Sequence, residues 1–431
     1  MYAKIINGDE ERYPSMEIAE DDLLTSIEVS YELMQVPAIT FTLPARYGKY
    51  LSGNSIIELR TDDFIYVGYV VNKQLDVASY TIAVNTSHIV GRLDKRNLPS
   101  NVTAKGNTIK DVFDMMWSFW VKKDGVIKDE LMALFTYNLI GNEVVEQTVE
   151  YEFSHESVLE FLTKICELTE SIYWRINRFN PYQIDVGVFG DKKEVLIDKD
   201  NYFISMNSVD EDYSEVMTHA YALSDKSDGG ASTLTLRDIF WNHKDWIDPK
   251  FPIDIIQDEE ARINSQRNKD YPRLIVFAPE NETEMDYSTD VEGLALGRGV
   301  SYWGTITNND VQTIAKDNEA LTDDDRLQAT YQMYKKAIRK MKNSRRHITY
   351  TIITSPLPNR TLNAGDKVMF IADIDLTELS DCSNYYTKLL KENDWFYITR
   401  LTSRYEVGNA LTMEVELSKA LYSDRDTQAS E

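Results

Sequence analysis

Histidine and cysteine, on which most metal and thiol chemistry depends, are nearly missing from this chain, with 5 and 2 copies in 431 residues. His88, His155, His219, His243 and His347 stand far apart, and none forms an HExxH or other close pair, so a zinc-hydrolase signature is excluded. Cys166 and Cys382 cannot build a disulfide framework, and neither lies in a known nucleophile motif. Cys166 falls in an apolar helical pattern and reads as a buried thiol. There is no GxSxG, no Walker A loop and no GxGxxG. Gly293-Leu-Ala-Leu-Gly-Arg-Gly299 matches none of these spacings and reads as a plain loop. No catalytic residue, metal ligand or cofactor is assigned, and no internal repeat is found. Hydrophobic residues make up 42% of the chain, yet no apolar run nears the roughly 20 residues of a membrane span. The N-terminus turns acidic at once without an apolar stretch, so no leader is expected.

Positive charge is also scarce, with 46 Lys and Arg against 71 Asp and Glu and a net charge of −25. Affinity for a nucleic-acid backbone comes largely from Lys and Arg. The acidity therefore fits either a solvated surface or one that DNA passes without sticking. Asp210-Glu-Asp212 and Asp373-Ile-Asp375 lack EF-hand spacing and read as solvated loops. A glycosidase carboxylate pair stays open, because such pairs come from distant positions. The 7 tryptophans and 26 tyrosines suit strand faces and subunit interfaces better than a sugar platform. One segment breaks the acidic trend. Arg326 to Arg346 holds eight basic residues and no acid. It reads either as a solvated helix face or as a contact with an acidic neighbouring subunit. The second reading makes Lys335, Lys336, Arg339, Lys340, Lys342, Arg345 and Arg346 candidate interface residues.

Periodicity divides the chain, whose length suggests roughly two to four domains. Over residues 1–100, Ile27, Val29, Tyr31 and Leu33 alternate with polar neighbours, as do Ile39, Phe41 and Leu43. Further short strands over 55–60, 64–71 and 79–85 suggest a small barrel or sandwich. Residues 101–190 form an α+β insert. One helix is marked by Ile109, Val112, Phe113, Met116 and Trp120 behind a Thr108 cap. A second is marked by Val158, Leu162, Ile165 and Leu168 and opens near Ser154 or Ser157. Residues 191–225 and 345–422 form a second, split barrel, with 216–224 as a possible partner of 201–207. Residues 226–344 form a second insert. Thr322-Asp-Asp-Asp325 opens its basic helix over 323–343, and 233–320 show no clean periodicity. The barrel closes with a hairpin in which Leu411, Met413, Val415 and Leu417 alternate with Thr412, Glu414, Glu416 and Ser418. Residues 423–431 have nothing to bury and read as a disordered tail.

Several segments resemble one family in pattern and order. Asn54-Ser-Ile-Ile-Glu-Leu59, Phe64-Ile-Tyr-Val-Gly-Tyr-Val-Val71, Ser79-Tyr-Thr-Ile-Ala-Val-Asn85 and His88-Ile-Val-Gly-Arg-Leu-Asp-Lys-Arg96 look like the first barrel of phage tail baseplate hub proteins. Gly106-Asn-Thr-Ile-Lys-Asp-Val-Phe113 is similar to the helix opening that follows there. Leu362-Asn-Ala-Gly-Asp-Lys-Val368 and the Tyr397 to Leu417 hairpin resemble the second barrel. The resemblance implies a β-rich α+β fold with two tube-like β-barrel domains and inserted α+β domains. It implies a structural, non-enzymatic protein of the virion tail, assembled in the host cytoplasm. Its homotrimeric ring would join the sixfold tail tube or distal tail protein above to a threefold spike or tip below. The tape-measure protein and DNA would pass through without specific binding. Alternatives are a hexameric distal tail ring protein, and a tail-tip cell-wall hydrolase or glycan-binding protein. The chain stops soon after the closing hairpin, so no peptidase or fibre extension is expected.

Overall fold

The structure is a computed structural model. It describes residues 1–8, 11–12, 14–53, 55–97, 102–123, 126–127, 130–141, 146–212, 216–224, 234, 236–256, 273–280, 303–308, 322–344, 347–357, 362–372 and 389–421. The Gly293–Gly299 loop, Asp373, Asp375, Cys382, Arg345, Arg346 and the tail 423–431 lie outside them.

Alternation of apolar and polar residues decides the first sheet. It comprises Tyr2–Ile6 (β1), Met16–Ile18 (β2), Ala38–Pro44 (β4), Ile56–Arg60 (β5), Ile65–Asp76 (β6) and Thr81–His88 (β7). The order is β2-β1-β5-β6-β7-β4, and every pairing is antiparallel. Phe41, Leu43, Ile57, Leu59 and Val84 turn to one side and are fully buried, as the two-residue period requires.

The strand between β2 and β4, Ile27–Glu32 (β3), leaves this sheet. It pairs along residues 400–405 of the closing hairpin's first strand, Arg400 opposite Glu32 and Tyr405 opposite Ile27. Periodicity reveals a strand and its buried face but not its neighbour, so the sequence groups β3 with the strands beside it in the chain.

The next segment contains Val102–Thr108 (β8), Ile109–Val121 (α1), Lys122–Lys123 (β9), Val126–Ile127 (β10), Glu130–Leu134 (α2), Thr136–Ile140 (β11), Thr148–Phe153 (β12), Val158–Glu167 (α3), Tyr173–Ile176 (β13) and Gln183–Gly187 (β14). The Thr108 hydroxyl accepts the Asp111 N–H at 3.1 Å, and Ile109, Val112, Phe113 and Met116 are fully buried. Ser157, not Ser154, opens α3 with a capping box. Its hydroxyl accepts the Glu160 N–H at 3.1 Å, while the Glu160 carboxylate accepts the Ser157 N–H at 2.6 Å. These helices pack beside a β11-β14-β13 sheet and a β8-β12 pair, and they share one continuous core with the first sheet.

The larger sheet holds Lys192–Ile197 (β15), Phe203–Asp212 (β16), His347–Thr354 (β21), Lys367–Ile371 (β22), Asn393–Tyr405 (β23) and Thr412–Ser418 (β24), in the order β15-β22-β23-β24-β21-β16 with β3 added to β23. β22 covers residues 393–397 of β23 and β3 covers 400–405, while β24 pairs along the opposite edge. A strand from the start of the chain thus completes a sheet made from its end. Met413, Val415 and Leu417 are fully buried, the face the alternation predicts.

A four-stranded sheet, β18-β19-β17-β20, comprises His219–Ser224 (β17), Ile253–Ile256 (β18), Arg273–Phe277 (β19) and Trp303–Asn308 (β20). This corrects two readings. β16 pairs with β21 rather than with the strand over 216–224, and the aperiodic stretch 233–320 contributes three strands and the helix Arg237–Asn242 (α4). The described strands there are four to six residues long, too short for a period to be read. Asp323–Asn343 (α5) packs on this sheet through Met333, Tyr334, Ile338 and Met341. The whole is strand-rich with a few helices.

Val415→Asp places an unpaired carboxylate in the core of the larger sheet. We expect a loss of at least about 4 kcal/mol, enough to abolish cooperative thermal unfolding by circular dichroism. A normal melting curve would refute this assignment of the strand face.

Candidate functional site

Among the described residues, no group of three His, Cys, Asp or Glu side chains stands close enough to hold a metal ion, and no helix is long and apolar enough to cross a membrane. Burial holds the His88 pKa down to about 3, so its ring is neutral at pH 7. Its Nδ1 accepts the Val90 N–H at 3.3 Å at the start of a short helical turn. These are structural roles.

The basic helix is the sequence's principal candidate, and the structure divides its members. Arg339 is turned into its own chain and is 4% exposed. Its guanidinium donates to the carbonyls of Cys166 at 2.8 Å and Ile172 at 2.9 Å, and lies over the Tyr173 ring at 4.6 Å. Cys166 lies at the C-terminal end of α3, where the helix dipole favours a cation. Lys342 pairs with Glu170 at 3.0 Å. Lys335 stacks over Tyr331 at 4.3 Å, and burial pushes its pKa down. Lys336 and Lys340 are partly exposed. The helix is therefore neither one solvated face nor one uniform basic surface.

Its N-terminus is tied down as firmly. Thr322 and Asp325 form a capping box, with Thr322 N–H to Asp325 at 2.8 Å and Asp325 N–H to Thr322 at 3.2 Å. The Asp325 carboxylate also accepts from Lys105 of β8. That bond, with the capping N–H, lowers its pKa to about 2. In the middle, the Tyr334 hydroxyl donates to the Phe251 carbonyl at 2.7 Å and accepts the Asp248 N–H at 2.9 Å. The helix is a strut between three parts of the fold.

Among the described residues, two of the surface clefts bear on these elements. One, of about 360 Å³, is floored by Ile6, Ile56, Ile65, Val67, Pro181 and Tyr182. The other, also about 360 Å³, collects Lys250, Lys342, Lys367 and Lys419. Lys250 pairs with Glu280 at 3.6 Å and Lys419 with Glu392 at 2.9 Å, while Lys367 lies over the Tyr397 ring at 4.1 Å. This internal pairing leaves the second cleft little positive charge for an anion.

The sequence reading missed the β6–β7 hairpin tip. It ends one strand at Val71 and starts the next at Ser79, whereas pairing runs out to Asp76 and Thr81. Polar and charged residues over 72–76 hide the strand, because neither face of it is buried. It also missed buried Arg175 and Arg178, whose isolated charges carry no motif.

Two measurements test the strut. Arg339→Leu leaves buried carbonyls without a donor and should cost at least about 2 kcal/mol, against a change within about 0.5 kcal/mol for Lys336→Ala. Equal effects in chemical denaturation would refute the distinction. The folded pKa of Asp325 lies below its unfolded value, so its contribution is present above that value and is lost as pH falls. The stability gap between wild type and Asp325→Asn should hold above about pH 5 and shrink between about pH 4 and pH 2. A gap that stays constant down to pH 2 would contradict this.

No known family model matches the chain, and no curated protein sequence does. Solved structures match it along nearly its whole length. Prophage tail protein gp18 from Listeria monocytogenes EGD-e aligns with a TM-score of 0.51 at 12% identity, covering 100% of this chain and 98% of that one. A tail protein from Neisseria meningitidis MC58 gives 0.53 at 12% identity, covering 97% and 96%. The 43 kDa tail protein of prophage MuSo2 from Shewanella oneidensis gives 0.50 at 9% identity, covering 99% and 100%. At such identities the likeness is one of fold, and this chain has the fold of these phage tail proteins.

Proposed function

We propose that this protein is a structural, non-enzymatic baseplate hub of a phage tail or related injection particle. The observation that carries the reading is the end-to-end fold match to three tail proteins, with nothing large left over in either partner. On this reading the six-stranded and larger sheets are the cores of two tube-like barrels. The first spans residues 1–100. The second is split over 191–212 and 345–422 and is completed by β3. Residues 101–190 and 216–344 are inserts, because the strand His219–Ser224 pairs within the four-stranded sheet.

Three copies would close a ring of six barrels between a sixfold tube and a threefold spike, with the tape-measure protein and DNA inside. Three copies at −25 each carry −75, which keeps a DNA path non-adhesive. Of the basic residues, Lys335, Lys336, Lys340 and Lys342 are partly exposed candidates for contact with a neighbouring subunit, and Arg345 and Arg346, outside the described residues, stay candidates with them.

Negative-stain microscopy of the concentrated protein tests the ring. Threefold rings with an open centre are expected. Sixfold rings would favour a distal tail protein, and single compact particles alone would overturn the ring. Lys336→Glu combined with Lys340→Glu should reduce the ring population while the chain still melts cooperatively. An undiminished ring removes the helix from the interface.

A further inference from the structure

The outer half of the β6–β7 hairpin is the most exposed apolar feature among the described residues. Residues 71–80 are all exposed, although β6 buries Val67 and Val70 nearer its base and β7 buries Ile82 and Val84 opposite Leu75 and Lys73. Val71, Leu75, Val77 and Tyr80 are 55%, 57%, 70% and 76% exposed. A cluster of this kind marks an interaction surface more often than lone exposed apolar residues do.

The tip is also held rigid. Asp76 accepts the Ala78 N–H at 2.9 Å and the Ser79 hydroxyl at 2.7 Å. Lys73 donates to the Gly48 and Leu51 carbonyls at 3.0 and 2.6 Å. The Tyr80 carbonyl accepts the Ala45 N–H at 2.9 Å. Tyr80 itself has φ of 54°, a left-handed conformation that Gly or Asn adopts more easily. Bulky residues held there tend to mark functional positions.

We propose that this tip docks into the apolar cleft of a second copy of the same chain, with Leu75, Val77 and Tyr80 entering against Ile6, Ile56, Ile65, Val67 and Tyr182. The contact rests on the ring reading above and names its surfaces. Two observations and one symmetry argument commit it to a second copy. Tip and cleft lie at opposite ends of one 12-residue strand, about 35 Å apart at ~3.3 Å per residue, so they cannot meet within a chain. A contact between unlike surfaces of identical chains runs head to tail and closes into a ring when the rotation allows. Both surfaces are electrically neutral in a chain of net charge −25. The tip carries Lys73 against Asp76, and the cleft carries Glu58 and Arg60, which pair with each other. Copies that repel elsewhere can approach here.

Cross-linking tests this on full-length chains. Tyr80→Cys and Ile56→Cys chains are co-expressed and treated with a short bismaleimide, with the unsubstituted chain measuring background from the native cysteines. A covalent dimer is expected in the mixture and not in either variant alone. Adding Val77→Asp to the Tyr80→Cys chain should lower its yield about tenfold, equivalent to about 1.4 kcal/mol. An oligomeric sample, by mass, with no cross-link above background would overturn this contact and leave the ring reading standing. A monomer at every concentration would overturn both.

Discussion

A buried charge pair holds the parts of this molecule to one another. Asp63 sits in the turn between β5 and β6, Arg178 in the loop between β13 and β14, and their charged groups lie 3.2 Å apart with neither side chain more than 1% exposed. The other Asp63 oxygen accepts from Ser403 of β23. The Arg178 backbone N–H reaches the Asn363 side chain at 3.1 Å, just before β22. One carboxylate and one guanidinium thus touch the first sheet, the α+β segment and the larger sheet. Burial pushes the Arg178 pKa down, and Asp63 opposes it. An arginine stays charged through such a shift. Losing one partner of a buried pair costs about 3–5 kcal/mol, yet the intact pair adds little net stability.

Arg175 repeats the device one turn of chain away. It donates to the Ala364 carbonyl at 2.6 Å and to Asp366 at 3.0 Å, and lies over Phe189 at 4.1 Å. The backbone follows closely enough that Gly365 has φ of 91°, and a Cβ there would meet Phe189 at 2.8 Å. Arg339 does the same for α5 against α3. Arg175 and Arg339 each donate to carbonyls or carboxylates of another segment, while Arg178 meets Asp63 as an ion pair. In a chain with 71 acids and 46 bases, several cations are spent inside rather than on the surface. That is why the described part of α5 does not form one uniform basic face.

The local pattern was legible where one face of an element is buried and the other wet. The closing hairpin, β5 and β6 up to Val71, the caps at Thr108 and Thr322, and both inserted helices follow from period and capping chemistry alone. Partners at long range were not. β3 has a clear alternation, but its pairing with β23 crosses more than 370 positions, as the 2.7 Å Ser30–Thr402 hydroxyl contact shows. The strands in 233–320 are four to six residues long and carry too few turns of any period. As for the candidate site, the sequence identified a cluster of cations but not which of them point inward. That depends on where the carbonyls at the end of α3 come to rest.

The same reasoning explains how a fold survives at 9–12% identity to its structural neighbours. Alternating strands tolerate any apolar residue of similar volume on the inner face and nearly any polar residue on the outer one. What cannot drift freely is the set of junctions, because a buried charge without its partner is far more costly than a changed methyl group. Here those junctions are few and built from single arginines. The remaining surface is free to become strongly acidic, and that acidity makes association selective. Like net charge disfavours random approach of two copies, so a contact between them has to use apolar, neutral or basic surface.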